Sequence, residues 1–140
     1  MNILLTGGTG FIGRRLLKLL DTPENEIRIL SRRAHSELET VVCDFEQDMV
    51  PTSTMESIDI VFHLAGLAHG LNETTSVKHL YQKINVDATV QLAELAIQSG
   101  VQRFVFVSSV KAGGVSLAGQ CMTEEDQGEP EGIYGKTKRE

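Results

Sequence analysis

The sequence predicts an α/β fold, a three-layer domain built on a doubly wound parallel sheet. Two observations carry that reading. Short apolar runs rich in β-branched residues alternate with helical stretches along the whole chain. Glycines or serines follow the first, fourth and fifth of those runs, where a loop leaves the sheet. Strands this uniformly apolar require a sheet covered on both faces. Right-handed crossovers then wind it in two directions and leave ligands beyond the carboxyl ends of the strands.

Each element has a local cause. Asn2 to Leu5 is an apolar run that ends on glycines. Gly10 to Leu20 reads as a helix with Phe11, Ile12, Leu16, Leu19 and Leu20 as its apolar face, stopped at Asp21-Thr22-Pro23. Ile27 to Leu30 and Thr40 to Cys43 are the second and third strands, and Pro51 to Ser57 reads as a short helix. The fourth strand lies in Ile58 to Leu64. Thr75 to Ser99 reads as one long helix with apolar Leu80, Ile84, Val90, Leu92, Leu95 and Ile97, and Gly100 stops it. Arg103 to Ser108 is the fifth strand, a glycine-rich loop runs to about Gly132, and Ile133 to Glu140 begins another helix. That last stretch has no stop signal, so the expectation is one domain over 1–140, truncated within a helix.

Bulk properties narrow the function classes. The 140 residues suit one domain, and 41% hydrophobic with 23% charged residues is ordinary globular composition. Thirteen basic against 19 acidic residues give a net charge of −6, which argues against a nucleic-acid partner, since such binding neutralises phosphates with Lys and Arg. Cys43 and Cys121 lack metal-ligand spacing and read as free thiols. His63, His69 and His79 share no spacing that suggests a metal, and none is expected. No apolar run approaches the roughly 20 residues of a membrane span, and no signal peptide is visible, so no membrane association and a cytoplasmic location are the expectation.

The segment Thr6-Gly7-Gly8-Thr9-Gly10-Phe11-Ile12-Gly13 sits between the first strand and the first helix. Its glycines at 7, 10 and 13 have separate tasks: a tight turn, close approach of backbone to a pyrophosphate, and close packing of helix on strand. The helix N-terminus would then face the phosphates with free N–H groups and a partial positive charge, with the Phe11 and Ile12 backbone part of that cradle. This points to a dinucleotide.

With those residues in place, T-G-G-T-G-F-I-G resembles the fingerprint of the extended short-chain dehydrogenase/reductases, the NAD-dependent epimerase/dehydratase family that includes UDP-galactose 4-epimerase. The resemblance implies a Rossmann fold and covers the first half of a typical member, so it also implies that the C-terminal substrate-binding region is absent from these 140 residues. After the second strand stand Ser31-Arg32-Arg33 and no carboxylate. A carboxylate there accepts the ribose 2′-OH of NAD, whereas arginine holds the 2′-phosphate of NADP. NADP(H) is therefore favoured over NAD(H); the alternative is that both arginines are solvated surface charges. The resemblance implies that Asp44 and Phe45 contact the adenine, that Leu64, Ala65 and Gly66 line the cofactor, and that Asn85 lies near the active site. The bland readings are a capping Asp44, a helix-surface Asn85 and, for His63, a packed histidine.

Tyr134-Gly135-Lys136-Thr137-Lys138 contains Y-x-x-x-K. On a helix the two residues share a face, and a nearby ammonium favours the phenolate form that proton transfer needs. The family places a Ser about two dozen residues earlier, where its hydroxyl steadies the developing alkoxide; Ser109 stands there, with Ser108 the alternate. Dehydratases of the family carry Asp-Glu just after that Ser, and here Val110-Lys111 stands instead. The resemblance thus implies an NAD(P)-dependent nucleotide-sugar 4-keto reductase or 4-epimerase of polysaccharide biosynthesis, with Ser109, Tyr134 and Lys138 catalytic and a nucleotide sugar as substrate. The competing reading is a non-catalytic dinucleotide-binding module or an inactive fragment. Family members often pair through the long helix and the tyrosine helix, which leaves a homodimer open.

Overall fold

The computed structural model describes residues 1–68, 75–114, 119, 121–126 and 128–140; His69 lies outside the described residues. Five strands form one parallel sheet in the order β3-β2-β1-β4-β5: β1 (Asn2–Thr6), β2 (Glu26–Ser31), β3 (Glu39–Val42), β4 (Ile60–His63) and β5 (Arg103–Phe106). The chain winds outward from β1 to β3, then returns to the other side of β1 for β4. The order therefore reverses between β1 and β4, and a crevice opens beyond their carboxyl ends.

Central strands need apolar residues on both faces, and β1 supplies them: Ile3, Leu4 and Leu5 are all but sealed from solvent. Side chains alternate across the sheet. Leu4, Leu30 and Val61 form one core with Met55, Ala88, Leu92 and Ala96, between the sheet and helix α3 (Ala88–Gln98). On that same face, register places Thr6 beside His63 and His63 beside Phe106, a polar row closing the carboxyl end of the core. The opposite face is covered by α1 (Phe11–Leu20).

Helix α1 departs from the face expected of it. Its only buried residue is Gly13, while Phe11 and Leu19 are about three-quarters exposed and Ile12 is more than half exposed. Gly13 sets the contact where the helix start meets the glycine loop, and of the expected face Leu16 and Leu20 are half-buried while Phe11, Ile12 and Leu19 turn outward. The Phe11 ring instead stacks under the Arg15 guanidinium, 3.9 Å from its centroid.

Three further elements differ from the sequence expectation. The short helix is a 3₁₀ turn (Thr52–Met55), bounded by Pro51 and by Ser57, which adopts a positive φ of 60°. The fourth strand is confined to Ile60–His63, because Ile58 folds back to donate to the Met55 carbonyl. The long helix is three pieces: α2 (Thr75–Tyr81), a π turn (Gln82–Asp87) and α3. The π turn inserts an extra residue per turn and swings Asn85 inward. Gly100, at φ 72°, ends α3 in the left-handed conformation a helix stop uses. Within the loop that follows β5 lies a short helix, α4 (Val110–Gly113), and α5 (Gly132–Arg139) carries the Tyr-Lys pair.

Among the described residues, no helix is long and apolar enough to cross a membrane.

Candidate functional site

The glycine loop is a cradle of bare backbone. Gly7 has φ 71°, and a Cβ there would meet the Ala65 nitrogen at 2.7 Å. A Cβ on Gly13 would meet the Gly7 carbonyl oxygen at 2.1 Å and the Gly8 Cα at 2.7 Å. The Gly10 amide donates to the Gly7 carbonyl at 3.0 Å and closes the turn, and Gly10 caps α1 with no side chain over its first amides. Those amides face outward with the partial positive charge of the helix start. Only a group that approaches backbone closely, such as a pyrophosphate, uses a surface of this kind.

A groove of about 320 Å³ runs from this loop across the ends of β1, β2 and β4. Gly7 and Gly10 form its floor; Ser31, Arg32, Asp44 and Phe45 bound one end; Leu64, Ala65 and Gly66 bound the other. Thr9, Cys43, Glu46, Leu67 and Ile84 line it too, and sequence reasoning passed over them. The side chains of Phe11 and Ile12 point to solvent, and Gly13 and Arg33 lie outside the groove lining. No carboxylate pairs with Arg32 among the described residues, whereas Arg28 on β2 is consumed by Glu39 at 2.6 Å and by carbonyls of the 3₁₀ turn. Asp44 does act as a cap, accepting from the Glu46 amide at 3.1 Å. Phe45 is buried and meets the His63 ring edge-on at 6.2 Å. Burial, with Asp48 and Asp44 nearby, pushes the Cys43 thiol up to about 11, which keeps it protonated and inert.

Behind the groove lies a buried polar cluster. Asn85, 2% exposed, accepts from the Leu67 amide at 2.7 Å, donates to the Leu67 carbonyl at 3.0 Å and donates to Thr137 Oγ1 at 3.0 Å. It is neither a surface amide nor a groove-lining residue: it clamps the loop after β4 to α5. His63 is fully buried between Thr6 (2.6 Å to Nδ1) and Thr89 (2.8 Å to Nε2). Burial first, and the Lys138 charge second, lower its pKa to about 3, so the ring is neutral. The packed reading of His63 holds, and its two threonine partners carried no sequence signal.

A second cavity, about 740 Å³, opens beside β5 and α5 and holds Ser108, Ser109, Asn85 and Lys138 in its wall. Ser109 caps α4: its Oγ accepts from the Lys111 amide at 3.3 Å, and its own proton remains for another acceptor. Ser108 instead donates to the Lys138 carbonyl at 3.1 Å, which makes Ser109 the freer hydroxyl. Lys138 is 5% exposed, with Nζ 4.1 Å from the Phe106 ring centroid and 3.7 Å from where a Gly66 Cβ would stand. Its ammonium thus sits where the groove wall meets the second cavity. Burial lowers its pKa to about 8. Tyr134, one turn earlier on α5, is half-buried, and no described residue hydrogen-bonds its hydroxyl. Gly135 brings α5 against α4, since a Cβ there would meet the Lys111 carbonyl oxygen at 2.4 Å. Lys111, in the place of a dehydratase acid, lies 3.6 Å from Glu131 at the surface.

A doubly wound sheet with a glycine cradle at its switch point and a Tyr-Lys helix beside it defines a dinucleotide-binding domain of the short-chain dehydrogenase/reductase type. The chain belongs to the NAD dependent epimerase/dehydratase family, whose sequence profile matches residues 3–140. It is 36% identical to a UDP-glucose 4-epimerase of Vibrio cholerae over 99% of this chain and 44% of that protein. A 3-beta-hydroxysteroid dehydrogenase of Mycolicibacterium neoaurum is 31% identical over 97% of this chain and 40% of its own length. The chain therefore spans under half the length of these relatives. Among solved structures, a short-chain dehydrogenase/reductase superfamily protein from Agrobacterium tumefaciens with bound NAD superposes with a TM-score of 0.85 at 27% identity, over 99% of this chain and 42% of that one. MoeE5 in complex with UDP-glucose and NAD gives 0.84 at 32% identity, over 99% and 46%.

Proposed function

We propose that this chain is the cofactor-binding half of an NADP(H)-preferring oxidoreductase that reduces or epimerises a nucleotide-linked sugar at a 4-keto or 4-hydroxyl carbon. The observation that carries the reading is the placement of Lys138, whose ammonium lies between the groove that suits a dinucleotide and the cavity that holds Ser109. The residues fit such a cofactor: Gly7, Gly10 and Gly13 leave the backbone bare where a pyrophosphate would approach, and Arg32, which pairs with no carboxylate among the described residues, stands at the end of β2 where a 2′-phosphate would fall. When bound, the nicotinamide gives or takes a hydride. The chain's own residues then handle the proton and the charge. Tyr134 moves the proton to or from the sugar oxygen, Lys138 favours the phenolate and orients the nicotinamide ribose, and Ser109 donates its free proton to that oxygen. Asp44 and Glu46 place two carboxylates on the groove, so the preference for NADP(H) rests on Arg32 reaching the phosphate ahead of them.

Fluorescence titration of the chain with NADPH and with NADH tests the cofactor. Tighter NADPH binding, lost in Arg32→Ser, supports the reading; tighter NADH binding returns Arg32 to the surface and favours a 4-epimerase. Tyr134→Phe in a protein that also carries the substrate half should abolish turnover and keep cofactor affinity, and full activity there would refute the role of Tyr134. The steroid dehydrogenase similarity favours a second reading, a hydroxysteroid substrate handled by the same three residues. Turnover of a steroid and of no UDP-sugar by the longer protein would decide for it. A chain that binds dinucleotide while the longer protein turns over neither is a non-catalytic module.

A further inference from the structure

Proton bookkeeping fixes the state of the buried cluster. The Thr89 hydroxyl has one proton, and it goes to the Asn85 carbonyl at 2.7 Å. Its oxygen must therefore accept from His63 Nε2 at 2.8 Å, so that nitrogen carries the ring proton. Nδ1 is then an acceptor, and Thr6 donates to it at 2.6 Å. The Thr6 oxygen in turn accepts from the Ala65 amide at 3.1 Å, and Ala65 is a wall of the cofactor groove. At the other end, Asn85 joins Leu67 to Thr137, the residue before Lys138. From Ala65 to the Asn85 main-chain carbonyl each donor has one acceptor, and the Asn85 side chain then carries the linkage to Thr137, which shares its proton between the Ile133 and Tyr134 carbonyls on the helix that bears Lys138. Asn85 lies within the π turn, and the Thr89 back-bond to the Asn85 main-chain carbonyl, four residues earlier, ties that turn to the helix that follows it.

We propose that His63 and Thr89 are positioning residues for the reaction assigned above: through the Nε2–H tautomer they lock the π turn, so that Asn85 holds the groove wall and the Lys138 helix in one register. Neither lines the groove, and although Thr89 stands beside Asn85 in the wall of the second cavity, both act through Asn85. The proposal rests on the functional reading for its purpose, but its geometry can be tested separately.

The chain is labelled with ¹⁵N and with ¹³Cε-lysine. Long-range proton–nitrogen correlations of His63 should show Nε2 protonated and Nδ1 bare; a proton on Nδ1 overturns the proposal whatever the variants do. Thr89→Val keeps the shape and removes the hydroxyl, whereas Thr89→Ser keeps the hydroxyl. In the valine variant we expect the Leu67 and Thr137 amide resonances to move, the Lys138 titration midpoint to rise towards that of an ordinary lysine, and NADPH affinity to fall about tenfold, the loss expected for one buried hydrogen bond. The serine variant should restore all three. Loss of global stability alone leaves the Lys138 midpoint of the folded population where it was. An unchanged midpoint and unchanged Leu67 and Thr137 resonances in folded Thr89→Val would overturn the relay. If the wild type binds neither dinucleotide, the functional reading fails, and the resonances and the Lys138 midpoint still decide the relay.

Discussion

His63 and Lys138 both lie against the Phe106 ring at the end of the sheet, and burial first, with the Lys138 charge second, holds the His63 imidazole neutral. The His63 ring stacks on Phe106 at 5.7 Å, and the Lys138 ammonium rests over the same ring at 4.1 Å. One aromatic side chain thus contacts both a group that stays neutral and one that is charged at neutral pH.

The neutrality of His63 makes the fold acid-sensitive. Its folded pKa, about 3, lies below the 6.5 of the unfolded chain. Between these values the unfolded state binds the extra proton, so stability falls as pH drops from 6.5 towards 3 and is unaffected above 6.5. The slope is about 1.4 kcal/mol per pH unit. Urea denaturation at pH 6.5 and pH 5.0 should differ by about 2 kcal/mol, before most carboxylates protonate. His63→Gln should be less stable at pH 7 and nearly flat over that window. A wild type equally stable at both pH values would refute a neutral, inaccessible His63.

Lys138 gives a dependence of the same sign in a higher pH window, because its pKa too is lowered by folding. Its folded pKa, about 8, lies below the unfolded 10.5, so burial penalises the folded state fully below pH 8. The penalty is relieved as pH rises from 8 to 10.5, where the unfolded state still holds a proton that the folded state has lost. Lys138→Met should therefore be more stable than wild type at pH 7, by at most about 3 kcal/mol, with the lost cation–π contact offsetting part of the gain. The difference between the two proteins should shrink towards pH 10.5. A methionine variant less stable at pH 7 would show that contacts of the ammonium outweigh its desolvation.

Much of this was legible in the sequence, and for reasons that differ by element. The glycine loop is visible because glycine is the only residue that tolerates a neighbouring backbone atom at 2.1 Å from its Cβ position, as at Gly13. The strand alternation is visible because a sheet buried on both faces needs continuous apolar runs, as in Ile3-Leu4-Leu5. The π turn was not visible, because Gln82–Asp87 has ordinary helical composition and is bent by contacts made by Asn85 with Leu67 and Thr137. Thr6 and Thr89 were silent too, since a threonine in a strand or a helix gives no sign that its hydroxyl meets a distant histidine. Phe11, Ile12 and Leu19 misled in the other direction: helical periodicity identifies an apolar face without saying whether anything covers it.

Two glycines separate steric need from conformational need. Gly13 has an ordinary φ and no room, while Gly100 has φ 72° and nothing within 4 Å of a Cβ. Gly13→Ala must push α1 off the glycine loop and should cost about 3 kcal/mol or more, an overpacking loss with rigid backbone on the other side. Gly100→Ala bears only the left-handed backbone and should cost about 1 kcal/mol. Denaturation midpoints at matched slope check the ranking. Equal losses would mean that the glycine loop yields to a methyl group and is not a rigid cradle.

Gly135 tests how closely α5 must lie to α4. A Cβ there would stand 2.4 Å from the Lys111 carbonyl oxygen and 3.0 Å from its carbon, and that carbonyl also accepts from the Glu131 amide at 2.9 Å. The carbonyl is therefore held, and α5 must move if a methyl group is added. Ser109 starts α4 and Tyr134 and Lys138 lie on α5, so the displacement falls between the hydroxyl and the Tyr-Lys pair and leaves the glycine loop alone. In a protein that carries the substrate half, Gly135→Ala should lower kcat by about 10²-fold, the effect of a misplacement near 1 Å, while NADPH affinity changes far less. Steady-state kinetics with a parallel fluorescence titration read the two quantities. A fall in NADPH affinity equal to the fall in kcat would show that α5 serves the cofactor groove, and an unchanged kcat would show that the approach of α4 and α5 is packing alone.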